Sequence, residues 1–259
     1  MPEIQKKKTS AATVAGIVLL AAALIAMAVY FIFIFSPKKA EEDSSADPAS
    51  APVFSAPESS EPEEISAELK TTLAEAEVGD LVRYGEYIQI PGRNQDGIAS
   101  PIDWIVLDKR EDRLLLLSYR VLDIWRYDDS RGSGITDFSQ SKLCKNLNVH
   151  FYPGAFSESE LEFILGEEGQ KVFILTAAEA EKYLTPDSHR IARATHTAAD
   201  HRGMDDSKPI EWWLADITSP GFAAYVYTDG SIRLKGFAFD YDKVGVRPAM
   251  WVSTEAEAE

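Results

Sequence analysis

Cysteine and basic residues are scarce in this sequence of 259 residues. Its single cysteine, Cys144, excludes an intramolecular disulfide framework and a structural zinc site built from thiolates. Lys and Arg number 26 against 42 Asp and Glu, which gives a formal net charge of −16. Nucleic-acid-binding proteins neutralise phosphates with clustered lysine and arginine, so this balance predicts that the chain binds no nucleic acid. The sequence also lacks a phosphate-binding glycine loop and an evident nucleophile–base pair.

One long uncharged run predicts a membrane anchor. Residues 11–35 carry no charged side chain, and a helix of this length rises about 37 Å, enough to cross a hydrocarbon core of about 30 Å. Three lysines at 6–8 precede the run and two at 38–39 follow it, so the positive-inside rule predicts that residues 1–10 are cytoplasmic. The expected location is the cell membrane, with a single pass and an extracytoplasmic folded domain. The alternative is a signal peptide that is cleaved after Ala28.

The composition changes twice after this run. Residues 36–76 are rich in Pro, Ser, Ala and Glu, which predicts a disordered acidic linker, with a short helix at 65–76 leading out of it. Residues 77–253 hold 20 basic against 28 acidic side chains, together with the alternating apolar pattern of a folded domain. Residues 254–259 are expected to form a short acidic tail.

Strand patterns occupy both ends of the predicted domain. Residues 81–90 are rich in β-formers, and the apolar runs 102–107 and 114–119 flank a polar turn, which predicts a hairpin. A second hairpin is predicted across 223–234, around Asp-Gly, and a closing strand at 244–252.

Helix patterns occupy the middle of the domain. Capping boxes that begin at Ser157 and Thr176 predict two helices, and the spacing of Leu143, Leu147 and Phe151 predicts another short one. The order of strands, short helices and strands predicts an α+β domain whose two ends meet in one sheet.

Six sequence blocks follow one another through this domain. They are Pro101-Ile102-Asp103-Trp104, Leu143-x3-Leu147-Asn148-x2-Phe151-Tyr152, Val172-Phe173-Ile174-Leu175-Thr176, Trp212-Trp213-Leu214, Ala223-Ala224-Tyr225-Val226 and Gly245-Val246-Arg247-Pro248-Ala249. In this order they resemble an uncharacterised bacterial extracytoplasmic domain family that is common in Gram-positive surface proteins, and the resemblance extends over nearly all of residues 78–252. The resemblance implies a C-type-lectin-like or sulfatase-modifying-factor-like fold, with antiparallel strands, short helices and long loops.

Two family arginines are replaced in this chain, one by Cys144 and one by Ala215, so a ligand that those arginines hold in relatives is not carried over. The best-known activity on the related fold is formylglycine generation, which uses paired cysteines and copper. Because Cys144 has no second cysteine, the resemblance implies no such chemistry here.

Aromatic residues are the main candidates for ligand contact. Trp212 and Trp213 are consecutive, so in a strand they point to opposite faces, and we expect one to pack inside while the other lines a groove. Trp125, Tyr225 and Asp229 join them as candidate ligand-binding residues. Arg247 is a further candidate, and the alternative for it is a structural arginine that bonds loop carbonyls or a carboxylate.

Metal-binding candidates are weaker. His196 and His201 lie among aspartates in a segment predicted to be a loop, and imidazole with carboxylate is a ligand set for zinc. Asp96, Asp240 and Asp242 offer oxygens for a calcium ion from turn-like segments, without the ligand spacing of an EF-hand. The alternative for all five is an ordinary polar surface. No cofactor is expected apart from this candidate calcium.

These observations favour a non-catalytic binding module, anchored in the membrane through residues 11–35, whose ligand is a surface glycan or a protein partner. One alternative is a metal-dependent enzyme on a sulfatase-modifying-factor-like scaffold. Another is a structural component of a membrane complex.

Overall fold

A computed structural model describes residues 69–70, 72–92, 97–167 and 169–256 of the chain. The predicted membrane run at 11–35 and most of the predicted linker lie outside these residues. Within the described ranges, no helix is both long enough and apolar enough to cross a membrane.

The larger of two sheets contains seven strands among the described residues. All its pairs are antiparallel except β1 with β2. β12, from the end of the chain, lies between β4 and β6 and also pairs with β7, so the two ends of the folded part meet in this sheet as predicted. Its strands are β1 (Leu69–Lys70), β2 (Leu81–Ile90), β3 (Ile98–Arg110), β4 (Arg113–Ser118), β6 (Ile164–Leu165), β7 (Val172–Phe173) and β12 (Ala249–Ser253).

The smaller sheet has the order β10-β9-β8-β11-β5 in the described part of the chain. The predicted hairpin at 223–234 is confirmed as β9 and β10, at one edge of this sheet. Its strands are β5 (Asp123–Ile124), β8 (Trp212–Ser219), β9 (Phe222–Val226), β10 (Ile232–Ala238) and β11 (Gly245–Val246).

Short helices connect the two sheets, so the molecule is α+β and mostly sheet. The α-helices are α1 (Lys142–Asn146), α2 (Tyr152–Ala155), α3 (Glu158–Phe163), α4 (Ala177–Tyr183) and α5 (His196–Arg202). A π-helical turn, Leu147–Phe151, joins α1 to α2, and 3₁₀ turns lie at Phe138–Gln140 and Asp187–Arg190.

Both predicted capping boxes are present. The Ser157 hydroxyl accepts a hydrogen bond from the Glu160 N–H at 3.4 Å, and the Glu160 carboxylate accepts one from the Ser157 N–H at 2.6 Å. Thr176 and Glu179 form the same reciprocal pair at 3.2 and 2.8 Å. Each box satisfies N–H groups that the first turn of a helix leaves unpaired, so α3 and α4 begin where the sequence indicates.

The segment around residues 195–206 corrects a prediction, because it contains α5 and not only a loop. The Thr195 hydroxyl caps the helix by accepting from the Ala198 N–H at 3.2 Å. Gly203, with φ of 75°, ends it in the left-handed conformation. Ala198 and Ala199 are buried, so tertiary packing stabilises a helix whose apolar face is too small to stand out in the sequence.

The closing strand predicted at 244–252 is two strands in two different sheets. β11 pairs with β5 and β8, whereas β12 pairs with β4, β6 and β7. Pro248 lies between them and has no backbone N–H to continue a ladder. The prediction of one strand is therefore wrong, and this segment passes from one sheet to the other.

The folded part starts earlier and ends later than predicted. Leu73 and Ala76 are fully buried, and β1 pairs with β2, so this end of the predicted linker 36–76 belongs to the domain. The described part of 65–76 contains a strand and a turn where a helix was predicted. At the other end Ala256 is 4% exposed, so the predicted tail 254–259 packs against the domain as far as this residue.

Two hydrophobic cores lie on opposite faces of the strands. In β4 the buried residues alternate, with Leu114 and Leu116 in the first core and Leu115 and Leu117 in the second. A continuous apolar run is the pattern expected of a strand buried on both faces. The first core includes Val82, Tyr84, Trp104, Tyr127, Leu143, Leu147, Phe151, Phe156, Trp213 and Phe239. The second core includes Ile105, Leu107, Leu175, Leu184, Ala198, Ile210, Trp212, Leu214, Val226 and Ala249.

Candidate functional site

The two consecutive tryptophans are both inaccessible. Trp212 and Trp213 point to opposite faces of β8 as predicted, but each is fully buried, Trp212 in the second core and Trp213 in the first. The expectation that one of them lines a groove is therefore wrong, because both faces of this strand are covered. Trp212 Nε1 donates to the Arg190 carbonyl at 2.9 Å, and Trp213 Nε1 donates to the Trp125 carbonyl at 2.8 Å.

Arg247 is also buried, with an exposed fraction of 2%. Its Nε donates to the Ser118 carbonyl at 2.7 Å and its Nη2 to the Tyr119 carbonyl at 3.4 Å, and its guanidinium lies 5.2 Å from the Trp212 ring centroid. Burial lowers the pKa of Arg247 to about 10. These contacts fit the structural role predicted for Arg247, in which it bonds backbone carbonyls. The side chain is buried and therefore not accessible to a ligand.

Two other predicted residues lie nearer the surface. Trp125 is partly buried and packs against the first core. Asp229 lies in the β9–β10 turn, where its carboxylate accepts hydrogen bonds from the N–H and hydroxyl of Ser231 and pairs with Arg233 at 3.3 Å. The main contacts of Asp229 therefore shape the hairpin.

The candidate zinc ligands are separated in the fold. His196 Nδ1 lies 2.7 Å from Asp206, and His201 Nδ1 lies 3.0 Å from Asp123. The Asp123 carboxylate also accepts the hydroxyl proton of Tyr87 at 2.8 Å. Each imidazole therefore has its own carboxylate, and the two do not share a site.

The candidate calcium ligands are used in ion pairs. Asp240 pairs with Arg131 at 2.8 Å and Asp242 with Arg126 at 3.6 Å, while Asp96 lies outside the described residues. The described part of the chain contains no group of three or more His, Cys, Asp or Glu side chains arranged to hold a metal ion.

A chain of aromatic rings leads from the first core to the surface. Within the core, the Tyr127 and Trp213 ring centroids are 5.5 Å apart, edge to face. Trp213 contacts Phe237 at 6.3 Å, and Phe237 stacks on Tyr225 at 3.9 Å and lies 4.7 Å from Tyr241. Tyr241 is 39% exposed, so these rings carry the aromatic surface of the core out to solvent.

We call the outer part of this chain the aromatic ridge, and it consists of Tyr225, Tyr227, Arg233, Phe237 and Tyr241. Arg233 lies opposite Tyr225 in the hairpin register, and its guanidinium is 5.1 Å from the centroid of the Tyr227 ring. The three tyrosine hydroxyls make no hydrogen bond with any residue that the structure describes. Desolvation raises the pKa of Tyr225, so its phenol stays neutral at physiological pH. The ridge therefore offers apolar ring surface together with free hydrogen-bonding groups.

A bulge in β10 positions the ridge. The β9–β10 register shifts between Arg233 and Phe237, which places Phe237 opposite Ala223. Gly236 lies in this bulge with φ of 69°, and a Cβ there would approach the Ala223 carbonyl oxygen to 2.7 Å. A glycine is thus required where the strand bends to bring Phe237 onto Tyr225.

A second surface feature, the polar groove, lies beside α1 and the π-helical turn. It has a volume of about 1160 Å³ and is open to solvent. Asn148 holds the two walls together, because its side chain donates to the Cys144 and Val172 carbonyls at 2.9 and 2.8 Å and accepts from the Val172 N–H at 3.0 Å. The groove is lined by Asp128, Asp129, Ser139, Gln140, Ser141, Lys142, Cys144, Lys145, Asn146, Asn148, Val149, His150, Tyr152, Pro153, Gly169 and Lys171.

Cys144 forms part of the groove wall and is itself buried. Burial raises the pKa of the Cys144 thiol, which keeps it protonated and unreactive at neutral pH.

Sequence reasoning located Tyr225 but missed the rest of the ridge and the whole groove. One face of the ridge could have been found from the sequence, because Tyr225 and Tyr227 are two positions apart in a predicted hairpin and such residues share a face. No local pattern connects Phe237 or Tyr241 to them, because the stack depends on the bulge.

Comparison with known families finds one resemblance. Residues 162–254 match the model of a family described as a domain of unknown function (DUF6273). No curated protein and no solved structure matches the chain. The matched stretch runs from the end of α3 through β12 and contains the complete aromatic ridge. Over this stretch the chain is similar to an uncharacterised domain.

Proposed function

We propose that this chain is a non-catalytic binding module that recognises a glycan through its aromatic ridge. Tyr225, Phe237 and Tyr241 form a stack that leads out to solvent, and this is the observation that carries the proposal. A sugar ring has an apolar face of C–H groups and a rim of hydroxyls. The ridge matches both, with ring faces for the first and, for the second, phenol hydroxyls that bond to no described residue.

Rigidity of the ridge supports the same role. Phe237 contacts Trp213, whose indole is fixed in the first core by its bond to the Trp125 carbonyl. Because the rings are held in place before a ligand arrives, little side-chain entropy is lost on binding. Arg233 and Asp229 add charged hydrogen-bonding groups at the hairpin end of the ridge.

The fold that we propose is C-type-lectin-like. The order of the six sequence blocks supports it, together with the meeting of early and late strands in the larger sheet. This step is an analogy at the level of the fold, and the ridge carries the functional argument independently of it.

We further propose that the domain lies outside the membrane, anchored by residues 11–35. The uncharged run and the lysines on either side of it support this placement. In this proposal the acidic residues between the run and the domain are a linker.

The test measures binding of the full chain, solubilised in detergent, to an array of bacterial and host glycans. We expect retention of at least one glycan class, with affinity lowered about tenfold in Tyr241→Ala, because one ring–sugar contact is lost. The matched control is Tyr119→Ala, which removes a partly exposed tyrosine outside the ridge. Tyr241→Phe separates the hydroxyl contribution from that of the ring.

Two outcomes would overturn the proposal: no glycan is retained, or Tyr241→Ala binds as well as Tyr119→Ala. Chemical cross-linking of the membrane-bound chain tests the alternative that the ridge binds a protein partner. A protein partner that is captured by wild type and lost in Tyr241→Ala would show that the ridge binds protein and not sugar.

A further inference from the structure

The polar groove concentrates positive charge in an acidic protein. Residues 77–253 carry 20 basic against 28 acidic side chains, yet the groove is lined by three lysines and two aspartates. His150 adds a further imidazole to the lining. The local balance of charge is therefore opposite to that of the surrounding domain.

The two aspartates of the groove both lie beside one of its three lysines, Lys142. Lys142 is neutralised by Asp129, whose two carboxylate oxygens lie 2.7 and 2.9 Å from Nζ. Asp128 is 9% exposed and accepts a hydrogen bond from the Lys142 backbone N–H at 3.2 Å. Both carboxylates thus lie next to Lys142, at the start of α1.

Lys145 and Lys171 have no such compensation. Lys145 is exposed, and its side-chain ammonium group makes no hydrogen bond or ion pair with any described residue. Lys171 is partly buried and donates to the Ile164 carbonyl at 2.7 Å, with no carboxylate among the described residues within ion-pair distance. Two lysines of the groove lining therefore have no carboxylate partner among the described residues.

Amide groups accompany these lysines. Asn146 and Gln140 line the groove, and their side-chain NH₂ groups are able to donate hydrogen bonds to oxygen. The backbone beside them is the π-helical turn Leu147–Phe151, and such turns occur often at functional sites. Because Asn148 fixes this turn to Val172, the lining is formed before a ligand binds.

We infer that the polar groove binds a small organic oxyanion, a carboxylate or phosphate ester, whose charged oxygens lie between Lys145 and Lys171. Lysine acts on such a ligand as a point charge, and the neighbouring amides complete the hydrogen bonds of the oxyanion. A volume of about 1160 Å³ leaves room for the rest of a small organic molecule that carries such an anionic group.

The experiment uses the full chain and measures binding of two probes, inorganic phosphate and citrate, by isothermal titration calorimetry at low salt. We expect one or both probes to bind, with affinity that falls as salt is added. Lys145→Gln should lower the affinity roughly tenfold, and Lys145→Arg should retain most of it. Lys145→Gln should leave the fold intact, because this side chain is exposed and its ammonium group makes no hydrogen bond or ion pair with the described residues. Lys171→Gln gives an independent second variant.

The matched control is Lys235→Gln, which removes an exposed lysine of β10 outside the groove. Binding of phosphate without citrate would identify a phosphate ligand, and the reverse would identify a carboxylate. The inference is overturned if neither probe binds, or if Lys145→Gln and Lys235→Gln weaken binding equally. Because Tyr241→Ala should leave these titrations unchanged, failure of the glycan proposal and failure of this one are distinguishable.

Discussion

Of the buried aromatic side chains that the structure describes, seven lie in the first core and one in the second, and aliphatic side chains fill the rest of both cores. Tyr84, Trp104, Tyr127, Trp213 and Phe239 are fully buried in the first core. The second core has one fully buried aromatic residue among those that the structure describes, Trp212, which lies beneath the Arg247 guanidinium.

The two cores differ in how they reach the surface of the domain. The aromatic packing of the first core continues through Phe237 to the ridge, so core and surface form one connected set of rings. The second core ends at Arg247, whose hydrogen bonds go to the protein's own carbonyls. We therefore expect changes in the first core to alter the aromatic ridge and changes in the second core to affect stability alone.

The largest expected effect comes from truncating the two tryptophans separately. Trp212→Ala and Trp213→Ala should each lower the free energy of unfolding by about 3–5 kcal/mol, because each leaves a large cavity in a buried core. Urea denaturation measures this loss. Only Trp213→Ala should also alter the nitration rate of Tyr225 and Tyr241 under folding conditions, since Phe237 loses its support. Equal effects on the ridge from both variants would contradict the separation of the cores.

An intermediate effect is expected at Arg247. Arg247→Met keeps most of the volume but leaves the buried Ser118 carbonyl without its donor, so we expect a loss of about 1–3 kcal/mol in unfolding free energy. Ridge binding should not change. If the variant were more stable than wild type, the free-energy cost of burying the guanidinium would exceed the stabilisation from its hydrogen bonds.

The smallest effect is expected at the Tyr127 hydroxyl, which donates to the Ala215 carbonyl at 2.7 Å. Tyr127→Phe should cost about 1 kcal/mol at neutral pH. Burial raises the pKa of Tyr127 well above its ordinary value of 10.0, so the unfolded chain loses this proton first and stability falls as the pH rises beyond that value.

Unfolding free energies at pH 7 and pH 11 test this assignment. Tyr127→Phe should lose less stability than wild type between the two conditions, because one buried phenol no longer titrates. An identical loss in both proteins would assign the alkaline sensitivity to other groups, such as the buried Tyr84, whose pKa is raised by desolvation.

Local signals in the sequence predicted much of the fold. The capping boxes at Ser157 and Thr176 and the strand at 81–90 depend on residues within a few positions of each other, and all three are confirmed. α5 was missed because its buried face is made of alanines. The division of 244–252 into two strands was missed because their partners are distant in the chain.

The candidate sites were harder to predict than the helices and strands, because they depend on contacts between distant parts of the chain. Alternation along β8 predicted that Trp212 and Trp213 face opposite ways, but whether each face is covered depends on segments elsewhere in the chain. The ridge requires the bulge at Gly236 to bring Phe237 onto Tyr225, and the groove requires Asn148 to join Val172. Neither juxtaposition has a pattern that can be found from sequence spacing.

The position of β12 has a consequence for how the protein is made. This strand lies between β4 and β6, and the nearby β11 joins β5 to β8, so residues 245–253 complete both sheets. During synthesis the earlier strands therefore emerge with unpaired edges, which are covered only after residues 245–253 have left the ribosome. A protein truncated before residue 245 would lack the strands that complete both sheets and would be a substrate for chaperones and proteases.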